Sequence, residues 1–521
     1  MLMNFEMLDG FNEIEQADFG PFVWTKGVFT LSPNSSARFA KLSVAYLGKD
    51  GSITVRAADG RVLDTVELDE GWHTCIVQLS GVAHEPVSFE ISPVIDVPGD
   101  ARELGLMLRS AELFDDAHAF KVLTKTNRNL RLNQREFLTG TATLKSFPPQ
   151  LRTSMEVRCN LPELDQACVY CAWDHAKMVE VGSPPFTYET LHELGDFYDC
   201  AVEVVDCSIG EPAMHKDFGK IVSKIHDDGK LMSFTTNGQL LGAVRRKQML
   251  GKNMIVYVSI DASTAEGYAR YRNKRFDDII ENLTALCSEK KQHGDLPRVF
   301  VTFLVMRSNV AELPQYIELM KKVGVDEVKL RSLNLDNLES QPTIANNGYT
   351  FEYGKEVLSM QELAELQPIS QKLSQDLGVK VYNETHAFAE QNEPLPGVPL
   401  CSEPWKTMYF LRRGIMPCCY GVEPLATWDQ QEDRSVGEFL GDIFNGETLT
   451  EIRSELAAGR LAQYCLNTPS CPIVKTMKLQ GLIDPSFDMA GIAAPKSGPL
   501  PMVTLESLKA TVTTEVQPRA A

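Results

Sequence analysis

The chain has 521 residues, 43% of them hydrophobic, and a formal net charge of -19 at pH 7. Its length points to about three domains. The acidic balance excludes broad binding to nucleic acid or anionic lipid, which needs clustered Lys and Arg to displace counterions. No apolar run approaches the ~20 residues that span a bilayer. Residues 1–10 lack the basic start and apolar core of a signal peptide, so a cytoplasmic location is expected.

Residues 1–140 read as an all-β sandwich. Short β-branched segments such as Ala40–Leu47, Ser52–Arg56 and Thr74–Leu79 alternate in polarity between Gly, Asp, Asn and Pro. The run Lys145–Arg152 looks like a linker, because tandem Pro148 and Pro149 block helix and central strand. Residues 153–335 then alternate compact apolar strands, at Val202–Cys207, Lys230–Thr235, Met254–Ile260, Arg298–Val305 and Asp326–Leu330, with amphipathic stretches at Phe276–Cys287 and Leu313–Val323. Strand, helix, strand in series implies a parallel sheet with right-handed crossovers and a ligand site at the strands' carboxyl ends. Residues 336–400 form a connector with one helix, Met360–Leu377; residues 401–475 are a second cysteine-rich segment; residues 485–521 are expected to be a poorly ordered tail.

Twelve cysteines without export signals read as reduced thiols or metal ligands rather than disulfides. Cys159, Cys168 and Cys171 lie together with no fourth cysteine nearby. A structural zinc or a fully protein-held iron–sulfur cluster normally takes four ligands, so three suggest a centre with one open position. Buried free thiols, a zinc ribbon or a thiol redox pair are the competing readings.

The strands beyond this triad end in polar clusters: Ser208-Ile209-Gly210-Glu211-Pro212, Thr235-Thr236-Asn237-Gly238 and Ser259-Ile260-Asp261. Gly210 lets the backbone approach a ligand, and Glu211 has the acceptors for an ammonium group. Ser259 and Asp261 suit contacts to hydroxyls or amines. Taken singly, Asn237-Gly238 is an ordinary turn and Asp261 an ordinary helix cap.

As an ordered set, the triad with Tyr170 and these strand ends resembles the radical S-adenosylmethionine (radical SAM) enzymes over residues 153–335. The resemblance implies an α/β partial (β/α)6 TIM-like barrel and a [4Fe-4S] cluster held by Cys159, Cys168 and Cys171. It also implies S-adenosyl-L-methionine on the unique iron, cleaved reductively to a 5′-deoxyadenosyl radical, and a flavodoxin- or ferredoxin-type electron donor. By the same resemblance Gly210 and Glu211 bind the methionine ammonium, Tyr170 lies near adenine, Ser259 and Asp261 face the ribose or methionine portion, Asn237 belongs to the cofactor-binding edge, and Arg272 is a candidate for the carboxylate. Two features depart from the family pattern. Eight residues, Asn160 to Ala167, separate the first two cysteines where three are usual, and Ser208-Ile209 stands where paired glycines are commoner.

Cys401, Cys418, Cys419, Cys465 and Cys471 resemble the auxiliary-cluster extensions called SPASM and Twitch. Five cysteines favour a single auxiliary [4Fe-4S] cluster, on Cys401, one of Cys418 and Cys419, Cys465 and Cys471; a structural zinc is the rival. The N-terminal segments around Leu8, Trp24, Trp72 and Ala101–Leu106 resemble β-sandwich modules of bacterial surface-glycan enzymes. Trp24 and Trp72 suit stacking on sugar faces, although large aromatics in small sandwiches more often belong to the core.

The expected function is radical oxidation or epimerisation of a hydroxyl-bearing carbon of a sugar, cyclitol or glycan precursor. A peptide- or protein-modifying maturase and a non-catalytic metal-stapled binding protein are the alternatives. Cys200, Cys207 and Cys287 are hydrogen-donor candidates by residue type alone, and Arg307 and Arg331 end strands on the active face as anchors or salt-bridge partners.

Overall fold

The structure, a computed structural model, describes residues 4–17, 20–97, 100–155, 168–170, 186–208, 210–333, 343–346, 348–386, 398–411, 413–421, 423–468, 471, 473–474 and 477. Cys159, Cys171, the Asn160–Ala167 insertion, Ile209 and the expected tail lie outside these residues. The chain divides into two compact units, residues 1–132 and 133–521.

In the first unit, alternation of apolar and polar residues produces antiparallel strands with one buried face. The strands are β1 (Phe5–Ala17), β2 (Gly20–Pro33), β3 (Phe39–Tyr46), β4 (Gly51–Ala57), β5 (Val62–Leu68), β6 (Gly71–Gln78), β7 (Val87–Ser92) and β8 (Met107–Phe114). They order as β5-β4-β7-β2-β8-β3-β6, with β1 beside β2. β2 changes partner midway, pairing with β8 at Val23 and Trp24 and with β7 from Val28 to Leu31. One core therefore collects Ile53, Val55 and Phe89 from one end of the sheet with Leu42, Val44 and Leu108 from the other, around stacked Phe29 and Phe89. The unit is one eight-stranded antiparallel sheet with a single main core, where two packed sheets were expected. Trp24 is buried, at 7% exposure, against Phe22 and Leu104, whereas Trp72 is 42% exposed.

A helix, Ala117–Leu138, follows these strands within the stretch read as β-rich, and the division between the units falls inside it. Its buried positions include Thr126, Asn129, Asn133 and Glu136. Polar residues on the covered face hide the apolar period that announces an amphipathic helix.

The second unit is built on a parallel sheet. Its strands are β9 (Gln150–Thr153), β10 (Glu203–Asp206), β11 (Leu231–Thr236), β12 (Met254–Ser259), β13 (Arg298–Val305) and β14 (Glu327–Ser332), with β15 (Thr343–Asn346) and β16 (Tyr349–Glu352) forming a separate hairpin. Later in the chain come β17 (Val381–Asn383), β18 (Thr407–Leu411) and β19 (Gly414–Met416). The order is β17-β14-β13-β12-β11-β10-β9-β18-β19, parallel from β17 to β18, with β19 folding back antiparallel. The barrel-like sheet thus has the five strands read from the sequence, β10–β14, joined by β9, and is extended at one edge by β17 and at the other by the cysteine-rich segment.

Part of the expected linker is strand β9. Pro148 and Pro149 precede it, so their missing N–H groups cost the ladder nothing, and Pro149 O accepts from Val202 N at 2.8 Å. Alternation sorts the barrel strands into two faces. Met254, Val256 and Val258 of β12 pack against Ile279, Leu283, Ile317 and Met320 of the covering helices Phe276–Glu289 and Leu313–Val323. Ile255, Tyr257 and Ser259 point to the other, half-buried face. The Leu313–Val323 helix ends at Gly324, whose φ of 86° is the left-handed geometry that a helix stop favours in glycine. Among the described residues no helix is long and apolar enough to cross a membrane.

The cysteine-rich segment is stapled into this unit by buried polar groups. Trp405 is fully buried and donates from Nε1 to Thr141 O at 2.8 Å. Arg453, also fully buried, donates to Pro404 O at 2.9 Å, Ala142 O at 3.0 Å and Phe444 O at 2.8 Å. Asn133 Nδ2 donates to Trp405 O at 2.7 Å.

Candidate functional site

The polar clusters read from the sequence sit at neighbouring carboxyl ends of β10, β11 and β12, brought together by the parallel register. Glu211 caps a single 3-10 turn, Pro212–Met214, at the end of β10 and reaches across to β11. Its Oε1 accepts from Ala213 N at 3.1 Å and Thr236 Oγ1 at 2.8 Å, and its Oε2 from Asn237 N at 2.9 Å. It is 2% exposed. Burial pushes its carboxyl up to about 7, against the pull of those three donors. A carboxylate offers about four lone-pair sites, so Oε2 retains room for one further donor.

Asn237 spends Oδ1 on Gln239 N at 3.0 Å, which is a turn-forming bond. Gly238 has φ 80°, and a side chain there would meet Ile279 at 2.8 Å. Glycine is therefore required to let this loop lie on the helix. Ser259 ends β12 opposite Thr302 of β13, whose buried hydroxyl has no hydrogen-bond partner among the described residues. Ser208 Oγ donates to Asp206 Oδ1 at 2.8 Å, and the same oxygen accepts from Met155 N at 2.8 Å, so the Ser-Ile departure from paired glycines is tied into the strand end.

Of the cysteine triad only Cys168 lies among the described residues. It is half-buried, with Arg272 Nη1 at 3.7 Å from Sγ. Arg272 Nε donates to Asp261 Oδ2 at 2.6 Å, and Tyr170 donates its hydroxyl to the same oxygen. The Arg272 guanidinium also lies over the Tyr170 ring, 5.3 Å from its centroid. Burial opposes the charge on Arg272, but Asp261, Tyr170 and Cys168 outweigh it and hold the group protonated. Burial pushes the Cys168 thiol up, and Arg272 pulls it back. A thiol beside a fixed cation fits a thiolate metal ligand. The sequence motifs marked each of these residues, but not that Asp261 and Arg272 bond to one another.

The other expected residues divide clearly. Cys200 and Cys287 are core residues at 5% and 1% exposure. Cys207 is half-buried at the end of β10, where burial pushes its thiol up to about 12 while Arg152 pulls it back. Arg307 is clamped bidentately by Glu362 at 2.6 and 2.9 Å, and Arg331 bonds Glu384 at 2.6 Å. Arg152 of β9 and Tyr409 of β18, opposite one another in register, carried no sequence signal because their strands were not foreseen as neighbours.

Cys401, Cys418, Cys465 and Cys471 are electrostatic neighbours. Cys401 responds to Cys471 and Cys418, Cys418 to Cys471 and Cys465, and Cys465 to Cys471. Cys419 is likewise an electrostatic neighbour of Cys418 and Cys471, and also reaches Tyr409, whose hydroxyl donates to Glu403 Oε2 at 2.9 Å. Among the described residues, no group of three or more His, Cys, Asp or Glu side chains is gathered tightly enough to hold a metal ion.

No protein-family model matches the chain. The chain is 26% identical over 181 residues to mouse S-adenosyl-L-methionine-dependent tRNA 4-demethylwyosine synthase TYW1, a match covering 33% of this chain and 23% of that protein. It is 29% identical over 179 residues to a probable GTP 3′,8-cyclase of Methanocaldococcus jannaschii, covering 33% of this chain and 55% of that protein. The chain thus matches between about a quarter and about half of the length of these relatives. Among solved structures, Streptococcus suis SuiB bound to precursor peptide SuiA aligns with a TM-score of 0.44 and 14% identity, covering 70% of this chain and 77% of that one.

Proposed function

We propose that this chain, a relative of the radical SAM superfamily, is an enzyme that holds a [4Fe-4S] cluster on Cys159, Cys168 and Cys171 and cleaves S-adenosylmethionine. Bound there, the cluster would supply one electron to the sulfonium, releasing methionine and a 5′-deoxyadenosyl radical that takes hydrogen from substrate. The observation that carries this reading is the gathering of Glu211, Asn237, Ser259 and Asp261 on adjacent strand ends, with Cys168 beside the last of them through Arg272.

The residues present suit that task. Glu211 Oε2 is placed to accept the methionine ammonium, and the Gly210 backbone beside it allows close approach. Among substrates, we favour a hydroxyl-bearing carbon of a sugar, cyclitol or glycan precursor. This rests on the hydroxyl of Thr302 beside Ser259, unpartnered among the described residues, and on the 42% exposure of Trp72 in the N-terminal unit. For an epimerisation, Cys207 is our candidate hydrogen donor, since it is half-buried where Cys200 and Cys287 are core residues. We assign Cys401, one of Cys418 and Cys419, Cys465 and Cys471 as the ligands of one auxiliary [4Fe-4S] cluster, a reading supported by the electrostatic coupling among these thiols.

Anaerobic reconstitution tests this reading. The expected result is about eight irons per chain and dithionite-dependent formation of 5′-deoxyadenosine, lost in a Cys159/Cys168/Cys171→Ala variant. Stoichiometric zinc without cleavage refutes it. Deuterium transfer to 5′-deoxyadenosine from labelled sugars supports the substrate class, and transfer from peptides alone replaces it with a maturase.

A further inference from the structure

We propose that Asp261, Arg272 and Tyr170 form a clasp that positions the cysteine loop and donates a hydrogen bond to the Cys168 sulfur, rather than contacting S-adenosylmethionine. The inference rests on the radical SAM reading for its consequence, but its geometry stands independently. Each of the three consecutive loop residues is fastened separately. Cys168 Sγ faces Arg272 Nη1 at 3.7 Å, Val169 N donates to Tyr271 O at 3.0 Å, and the Tyr170 hydroxyl donates to Asp261.

The carboxylate of Asp261 already holds three donors in a buried site. Oδ2 takes both Tyr170 and Arg272, and Oδ1 takes Leu304 N at 2.9 Å. Its backbone carbonyl accepts from Asn309 Nδ2 at 3.0 Å, which fixes the strand end behind it. Arg272 is equally committed, to the carboxylate through Nε, to sulfur through Nη1, and to the Tyr170 ring through its face. Asp261 is 1% and Arg272 8% exposed, and Val169 and Tyr170 pack with Tyr271, Met306 and Phe351. Burial keeps both groups from a ribose hydroxyl or a methionine carboxylate, either of which would have to enter among these charge-assisted bonds.

Arginine is required because its rigid fork presents separate N–H groups to carboxylate and sulfur at once, which a lysine ammonium cannot do in this geometry. An N–H bond and a positive charge at a ligating thiolate favour the reduced, more negative cluster and raise its reduction potential.

Three measurements on Arg272→Gln, Arg272→Lys, Asp261→Asn and Tyr170→Phe test the clasp. In the cluster-free protein, amide hydrogen exchange over residues 168–170 is expected to speed up at least tenfold in Asp261→Asn and Arg272→Gln; unchanged exchange in both overturns the clasp even if no cluster ever loads. In the loaded protein, Arg272→Gln is expected to lower the midpoint potential by a tenfold change in the reduced-to-oxidised ratio, about 59 mV for one electron, and Arg272→Lys to restore it only in part. S-adenosylmethionine affinity of the oxidised, fully loaded variants is expected to stay within twofold of wild type. A tenfold or greater loss of that affinity in Arg272→Gln overturns the proposal whatever the potential does, and returns Arg272 to the cofactor. Failure of the wild-type protein to take up iron or cleave S-adenosylmethionine refutes the enzymatic reading instead, while the exchange experiment still decides the clasp.

Discussion

Glu211 joins the loops after β10 and β11, and its environment gives it a distinctive acid response. Its carboxyl, pushed by burial from 4.5 to about 7, binds a proton more tightly in the fold than in the unfolded chain. Between those two values the folded state holds the extra proton, so stability falls as pH rises from 4.5 to about 7, by about 3 kcal/mol in total. Urea melts across that window should show the slope in wild type and lose it in Glu211→Gln. An ammonium group at Oε2 favours the ionised carboxylate, so calorimetric binding of S-adenosylmethionine should strengthen between pH 6 and 7 in wild type, and stay flat in Glu211→Gln. The identity of such residues was legible because strand-end motifs are contiguous. Their partnerships were not: Tyr170 and Asp261 are 91 positions apart, and no local pattern says that Tyr170 and Arg272 share one carboxylate oxygen.

At the scale of elements, strands and helices with strong periods were readable, and the Leu313–Val323 and Met360–Leu377 helices stand where the pattern placed them. Among the elements that escaped, two did so for opposite reasons. β9 is short and follows two prolines that mimic a linker, whereas Ala117–Leu138 buries polar side chains that blur its period. Arg453 shows how the cysteine-rich segment keeps its place, since one guanidinium satisfies carbonyls at Ala142, Pro404 and Phe444. Replacing it with Met leaves those carbonyls unpaired in the interior and should cost about 3 kcal/mol, read as a lower urea midpoint with the N-terminal unit unaffected.

For the whole molecule, a β-rich start and an alternating α/β middle gave the class of each unit, but composition could not sort their aromatic residues. Trp24 packs edge-on to Phe22 with centroids 6.5 Å apart, while Trp72 is 42% exposed. Trp24→Ala should therefore destabilise the N-terminal unit by about 3–5 kcal/mol, and Trp72→Ala by less than about 1 kcal/mol. Thermal unfolding of the two variants distinguishes a core residue from a surface one. If the exposed ring serves glycan binding, Trp72→Ala abolishes retention on a polysaccharide column without moving the melting temperature.

β18 hydrogen-bonds along β9, and it begins six residues after Cys401. A strand edge with nothing against it is an invitation to pair with another chain. The cysteine-rich segment is thus also the guard of the barrel's open margin, and a change that unseats β18 threatens solubility as well as the fold of the segment itself.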